Sequence, residues 1–195
     1  GIRNGSIHPV VSVVTRASPG GIFNPTTFAN FITYNDDGVR AYDAGLKTRW
    51  LDQRLTVNVG LFYNDWRDIQ TVVGSPALID NAGDARSYGV ELETAYFLNE
   101  NLSVYADAAY TSAEFNDTTV TGSGVIAEGN RLTSVPEFTF SAGADVSFPI
   151  TSDFDLIGHL DYQYIGDRFT TAENIAASKL PSFSLVNLRA GLSND

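Results

Sequence analysis

Residues 81–115 read NAGDARSYGVELETAYFLNENLSVYADAAYTSAEF, and the fold turns on how they alternate. Val90, Leu92, Thr94 and Tyr96 fall on one side, with Ser87, Gly89, Glu91, Glu93 and Ala95 on the other, which is a strand period. After the turn residues Asn99, Glu100 and Asn101 the alternation resumes, Leu102, Val104, Ala106, Ala108 and Tyr110 opposing Ser103, Tyr105, Asp107, Ala109 and Thr111. The pair is a predicted β-hairpin. Its polar side carries charges in mid-strand and its apolar side ends in tyrosines, the inverse of a soluble sheet whose apolar side must form a dry core. The pattern suits lipid outside and water inside.

The same alternation runs through most of the chain. Tyr42, Ala44, Leu46, Thr48 and Trp50 oppose Asp43, Gly45, Lys47 and Arg49. The odd positions from Leu55 to Tyr63 oppose Thr56, Asn58, Gly60, Phe62 and Asn64, in a strand expected to run on past Trp66 towards Val73. The even positions from Phe138 to Phe148 oppose Ser141, Gly143 and Asp145, and those from Phe154 to Tyr164 oppose Asp155, His159 and Asp161. A last run sets Val186, Leu188, Ala190 and Leu192 against Asn187, Arg189 and Gly191. Residues 1–39 are rich in Gly, Pro, Asn, Ser and Thr and read mostly as loop, with only Val10 to Val14 fit for a short strand. About seven antiparallel strands are expected.

Connections alternate between short (51–53, 99–101, 151–153) and long (about 74–85, 116–135, 167–180), the asymmetry of an outer-membrane barrel with tight periplasmic turns and long outer loops. Aromatic residues bracket the apolar faces: Tyr42 and Trp50, Phe138 and Phe148, Phe154 and Tyr164, with Tyr63, Tyr96 and Tyr110 at other strand ends. They form the expected lipid-facing girdle. Phe138 to Phe148 spans roughly 33 Å of strand, and a tilt of about 40–45° reduces this to roughly 24 Å, close to the ~25 Å apolar band of such barrels.

Composition narrows the class. At 195 residues with 43% apolar and 12% aromatic side chains and 17 glycines, the chain reads as one β domain with many turns. No window approaches eighteen consecutive apolar residues, which argues against a transmembrane helix and is blind to strands. The absence of cysteine excludes disulfides and thiolate chemistry. With no methionine and a start at Gly1-Ile2-Arg3, the chain is expected to be a mature product or a piece of something longer. A net charge of −11 argues against nucleic acid as a partner, since phosphate contacts need clustered lysine and arginine.

Five strings in order carry a family resemblance. They are Tyr42-Asp43-Ala44-Gly45-Leu46-Lys47-Thr48-Arg49-Trp50; Leu61-Phe62-Tyr63-Asn64-Asp65-Trp66-Arg67-Asp68-Ile69-Gln70; and Asn81-Ala82-Gly83-Asp84-Ala85-Arg86-Ser87-Tyr88-Gly89-Val90-Glu91-Leu92-Glu93. Asn130-Arg131-Leu132 with Val135-Pro136, and Leu180-Pro181-Ser182-Phe183 with Val186-Asn187-Leu188-Arg189-Ala190-Gly191, complete the set. Together the chain from Tyr42 on resembles the C-terminal part of the β-barrel of a TonB-dependent outer-membrane receptor of the siderophore-receptor kind; Gly1 to Gly5 and His8-Pro9-Val10 match more loosely. The resemblance implies an all-β, antiparallel, up-and-down transmembrane barrel of 22 strands, a plug inside it and a plug segment that contacts TonB. Residues 1–195 would be part of that barrel, with plug, TonB-contacting segment and last strand elsewhere. The implied partners are outer-membrane lipid, the rest of the barrel and its plug, the TonB complex and a small ligand such as a ferric chelate.

Candidate chemistry is sparse. Lys47, Arg49, Glu91, Glu93, Asp107 and Asp145, with His159, Asp161 and Arg189, are expected on the lumenal side, where a wet, charged wall explains them without a specific role. Plug docking is the functional alternative. Glu91 and Glu93 have no apolar pocket to raise a pKa, so a glycosidase pair is disfavoured. His8 and His159 have no partners at metal-ligand spacing, and Asp36-Asp37 and Asp65 to Asp68 lack the pattern of a calcium loop, so neither metal nor cofactor is expected. No GxSxG, GxxxxGK[ST] or strand-linked GxGxxG is present, and the chain reads as non-enzymatic. The rival reading is a complete small protein, either an eight-stranded barrel using Val10 to Val14 as first strand or a secreted adhesin-like sandwich. A closed barrel would pair the last strand with the first.

Overall fold

A computed structural model describes residues 7–17, 22–23, 32–33, 36–73, 78–121 and 124–194. Gly1 to Gly5, the side chain of His8 and the loop tip Gly122-Ser123 lie outside the described residues or side chains. One antiparallel sheet of eight strands dominates. In chain order these are β1 (Ile7–Ala17), β2 (Gly38–Trp50), β3 (Leu55–Arg67), β4 (Ala85–Asn99), β5 (Leu102–Phe115), β6 (Phe138–Pro149), β7 (Asp155–Ile165) and β8 (Phe183–Ser193). Each pairs with its sequence neighbours, so the sheet is an up-and-down meander. β1 and β8 are its two edges, and among the described residues no ladder joins them.

Register fixes the faces, because residues directly opposite each other project to the same side. One transverse row runs Leu46, Val59, Leu92, Ala108, Phe140, Tyr164 and the next Trp50, Leu55, Tyr96, Val104, Ala144, Leu160, Leu188. Between them lies a row with Thr48, Val57, Thr94, Ala106, Ala142 and Tyr162. Its threonines are internally satisfied: Thr48 Oγ1 donates to the Val57 carbonyl at 2.7 Å and accepts from Trp50 Nε1 at 2.8 Å, and Thr94 Oγ1 donates to the Ala106 carbonyl at 2.6 Å. Cross-strand aromatic pairs reinforce this face, Tyr42 with Tyr63 at 6.3 Å and Phe138 with Tyr164 at 6.1 Å between ring centroids.

Three expectations need correction. The stretch containing Val10 to Val14 is not a short strand but an eleven-residue one paired with β2 along its whole length, which brings the sheet to eight strands. Pro9 lies inside this strand, opposite Leu46 on β2. β3 ends at Arg67 instead of running on to Val73, because Asp68 adopts φ 52°, and the chain re-enters extended backbone as a separate hairpin, Gln70–Val73 with Leu78–Asn81. The long loops are likewise partly regular: Thr119–Thr121 pairs with Gly124–Ile126, and Arg168–Phe169 pairs with Lys179–Leu180.

The buried core lies at one end of the sheet. Ile69, Ala82, Ala85, Phe115, Ile126 and Ala172 are buried together, with Trp66 and Leu132 packed against them. All come from the long-loop ends, so the loops form a cap with its own small core.

Candidate functional site

The polar face of the sheet is held by side chains that reach sideways across strands. Asn58 Nδ2 donates to Glu93 Oε2 at 3.2 Å, with Lys47 next in the same row. Ser141 Oγ donates to Asp107 Oδ2 at 3.3 Å, and His159 Nδ1 lies 2.7 Å from Asp145 Oδ1 with Arg189 opposite it on β8. Arg49 shares a row with Thr56. Glu91 lies over Gly60: a Cβ there would meet Glu91 Oε2 at 3.6 Å. The lumenal set expected from the sequence therefore shares one side of the sheet, spread over several transverse rows and not gathered in one pocket.

Tyr105 shares one transverse row with Gly143, Asp161 and Asn187. Its ring lies across Gly143, where an added Cβ would run into the ring and its hydroxyl, and that hydroxyl donates to Asp161 Oδ1 at 2.6 Å. Asn187 Nδ2 donates to the other oxygen of that carboxylate at 3.1 Å. Parity placed Tyr105 on the polar face, but its partner is on a strand two removed. The signal that it would cross was the glycine directly opposite, since only a position without a side chain lets a ring lie flat on the sheet. Open hollows of about 330 and 410 Å³ flank this region, the first floored by the facing pair Gly45 and Gly60. Among the described residues no three His, Asp or Glu side chains group closely enough to hold a metal ion.

A second cluster ties the cap together around Arg131, whose side chain is only 15% exposed. Its Nη1 donates to Asp167 Oδ2 at 2.9 Å, its Nη2 to the Asp167 carbonyl at 2.7 Å and the Val135 carbonyl at 3.2 Å, and its guanidinium lies over the Phe169 ring at 5.7 Å. Its backbone N–H donates to Asn174 Oδ1, and Asn174 Nδ2 returns a bond to the Arg131 carbonyl. Asn130 Nδ2 bonds the Ala172 carbonyl. Lys179 Nζ sits 3.2 Å from Asp167 Oδ2, and hydrogen bonds from Lys179 and Arg131 hold the Asp167 carboxyl below the usual carboxylate range. The third loop joins through Asn116 N–H to the Asp84 carbonyl at 2.8 Å. In the sequence Asn130-Arg131 stood out only as part of a resemblance; a hub built from loops far apart in the chain leaves no periodic trace.

At the opposite end the connections are tight. Leu51, Asp52 and Gln53 all take positive φ (53°, 55° and 71°), and Asn101 N–H bonds Asn99 Oδ1 at 2.8 Å. The alternation of short and long connections thus segregates turns and cap to opposite ends of the sheet.

Comparison with known proteins places this architecture. The family model for TonB dependent receptor-like β-barrels matches residues 12–194. The metal-pseudopaline receptor CntO of Pseudomonas aeruginosa is 28% identical over 183 residues, covering 93% of this chain and 25% of that protein. The ferric yersiniabactin uptake receptor FyuA from Yersinia pestis superposes with a TM-score of 0.75 at 20% identity, over 95% of this chain and 27% of that one. The siderophore receptor PiuA from Acinetobacter baumannii gives 0.70 at 19%, over 96% and 27%. The chain spans about a quarter of the length of the curated relatives it matches. An eight-stranded antiparallel meander with opposed polar and apolar faces, and a family match across nearly all of it, make the chain a member of the TonB-dependent receptor β-barrel family.

Proposed function

We propose that this chain is part of the wall and outer loops of a bacterial outer-membrane barrel that imports a scarce metal chelate, a ferric siderophore above all, using energy from the TonB complex. One observation carries the reading: among the described residues the sheet is a single layer with no second layer beneath it. Leu46, Leu61, Leu92 and Leu160 on its apolar face are 40, 55, 39 and 46% exposed, while the buried apolar cluster is confined to the loop cap. Such a face is stable against hydrocarbon and not against water. Inward threonine bonds on that face agree, since polar atoms facing lipid must be satisfied within the sheet.

In this reading the girdle of Tyr42, Trp50, Tyr63, Tyr96, Tyr110, Phe138, Phe148, Phe154 and Tyr164 faces lipid, and Lys47, Arg49, Glu91, Glu93, Asp107, Asp145, His159, Asp161 and Arg189 face the lumen and its plug. The short turns lie in the periplasm and the cap outside. The rest of the barrel, the plug and the TonB-contacting segment belong to the parent protein, and nothing on the sheet serves as an enzymatic centre. The names of the relatives, a metal-pseudopaline receptor and siderophore receptors, support a chelate as ligand. The small closed barrel is disfavoured, because its β8–β1 ladder is missing among the described residues. The test is uptake of radiolabelled metal chelates by cells carrying the intact protein, with and without an active TonB system. Accumulation of at least one ferric chelate that vanishes without TonB is expected; equal accumulation in cells lacking the protein would refute the reading.

A further inference from the structure

Beyond the tyrosines at the long-loop end, the apolar face ends in a row of alternating charge. Arg40, Asp65, Arg86 and Glu114 are directly opposite one another on β2, β3, β4 and β5, and Arg67 stands two residues further along β3 on the same side. The row lies two residues past Tyr42, Tyr63 and Tyr88, about 6.7 Å along the strand. On a chain of net charge −11 it carries three arginines against two carboxylates. The cap leaves it open, because Trp66, Ala85 and Phe115 turn to the other side of their strands and build the cap core there. The Arg67 and Arg86 side chains are 58 and 50% exposed, and their pairs with Asp65 and Glu114 are loose, both at 3.8 Å. Arg40 is exposed and makes no ion pair among the described residues. The guanidiniums are thus aligned by neighbouring carboxylates yet keep most of their donors.

The other margin of the apolar face is built differently. An arginine at the short-turn end, Arg54, has its guanidinium taken up by the Leu51 and Leu98 carbonyls at 3.3 and 3.4 Å. Among the described residues, available arginines on the apolar side therefore stand beyond the long-loop margin only, at the height where lipid headgroups begin.

Resting on the barrel reading, we propose that Arg40, Arg67 and Arg86 bind the phosphate of lipid headgroups in the outer leaflet, as an annular site outside the barrel and separate from the lumen. Planar guanidiniums match phosphate bidentately, and a row of them fits a glycolipid carrying more than one phosphate.

The test uses the intact protein in detergent, titrated with a bis-phosphorylated lipid A-type glycolipid and with its dephosphorylated form, bound lipid being counted by native mass spectrometry. The Arg40→Gln/Arg86→Gln variant should bind the phosphorylated lipid roughly 25-fold more weakly, about fivefold per arginine. Arg40→Lys/Arg86→Lys, which keeps the charge and loses the planar fork, should recover only part of the binding, and Lys47→Gln/Arg49→Gln on the opposite face should bind like the parent. Binding by the Gln variant within twofold of the parent, or equal binding of the dephosphorylated lipid, would overturn the site. A fluorophore at Leu92→Cys in vesicles of brominated phospholipid separates the two layers of argument. Quenching there leaves the barrel reading standing whatever the arginines do, whereas no quenching removes the barrel reading itself.

Discussion

Ala106 and Ala109 lie three residues apart on β5 and face opposite sides, the first between Thr94 and Ala142, the second between Glu91 and Thr139. If the apolar side meets lipid, Ala106→Arg is expected to cost about 2–4 kcal/mol in unfolding from bilayers. Ala109→Arg, beside Glu91, should cost under about 1 kcal/mol. Equal costs would count against a membrane-spanning sheet. Tyr105 and Gly143 test the inner packing. Gly143→Ala drives a methyl group into the Tyr105 ring, so the ring must leave and surrender its bond to Asp161. A loss of about 1–3 kcal/mol is expected, falling to near zero in a Tyr105→Ala background, where nothing remains to clash. A double-mutant cycle by denaturant titration reads this coupling directly, and additive costs would show that the ring does not rest on the glycine.

At the scale of elements, the cap is where sequence and structure part company. Strand faces were legible because alternation is local: each of Leu92, Val104, Phe140 and Leu160 declares its side through its neighbours two residues away. Loop order is not local. Ala82, Ile126 and Ala172 come from separate connections and meet only once the strands beneath them are paired, so the cap core and its Arg131 hub could not be read from composition. The full length of β1 is hidden for a related reason: proline in a Gly- and Asn-rich segment reads as loop, and the pairing with β2 that carries the strand through Pro9 is not local. The hub predicts a pH dependence. Because the Asp167 carboxyl titrates below its ordinary value near 3.9, its contribution is complete above that pH and is lost as pH falls through the depressed folded value. A spin label at Ile175, which is 56% exposed, should gain mobility below about pH 4. Asp167→Asn should already be mobile at neutral pH and show no further change through that range. A label that stays equally immobile in both proteins would mean that the ion pairs do not hold the loop.

For the molecule as a whole, turns and cap lie at opposite ends, and sidedness is the natural experiment. Protease added to intact cells is expected to cut the exposed hairpin near Val120 and Val125, 79 and 53% exposed, and to spare Asp52 and Asn99 until the outer membrane is opened. Early cleavage at Asp52 would invert the orientation. The same separation of short and long connections also sets an order in time. Joining two strands through a three-residue turn costs less chain entropy than joining them through the long segments of the cap, by about 0.6 kcal/mol for each doubling of length. β2 with β3, β4 with β5 and β6 with β7 are therefore the fast units, each zipping upward from its turn, and the pairings beneath the long loops follow. β1 and β8 are left out of this first round, since neither has a short-turn partner among the eight strands. They are the last to be claimed, and whatever arrives first at those two edges, a proper neighbour or a stray strand, decides whether assembly ends in a wall or in an aggregate.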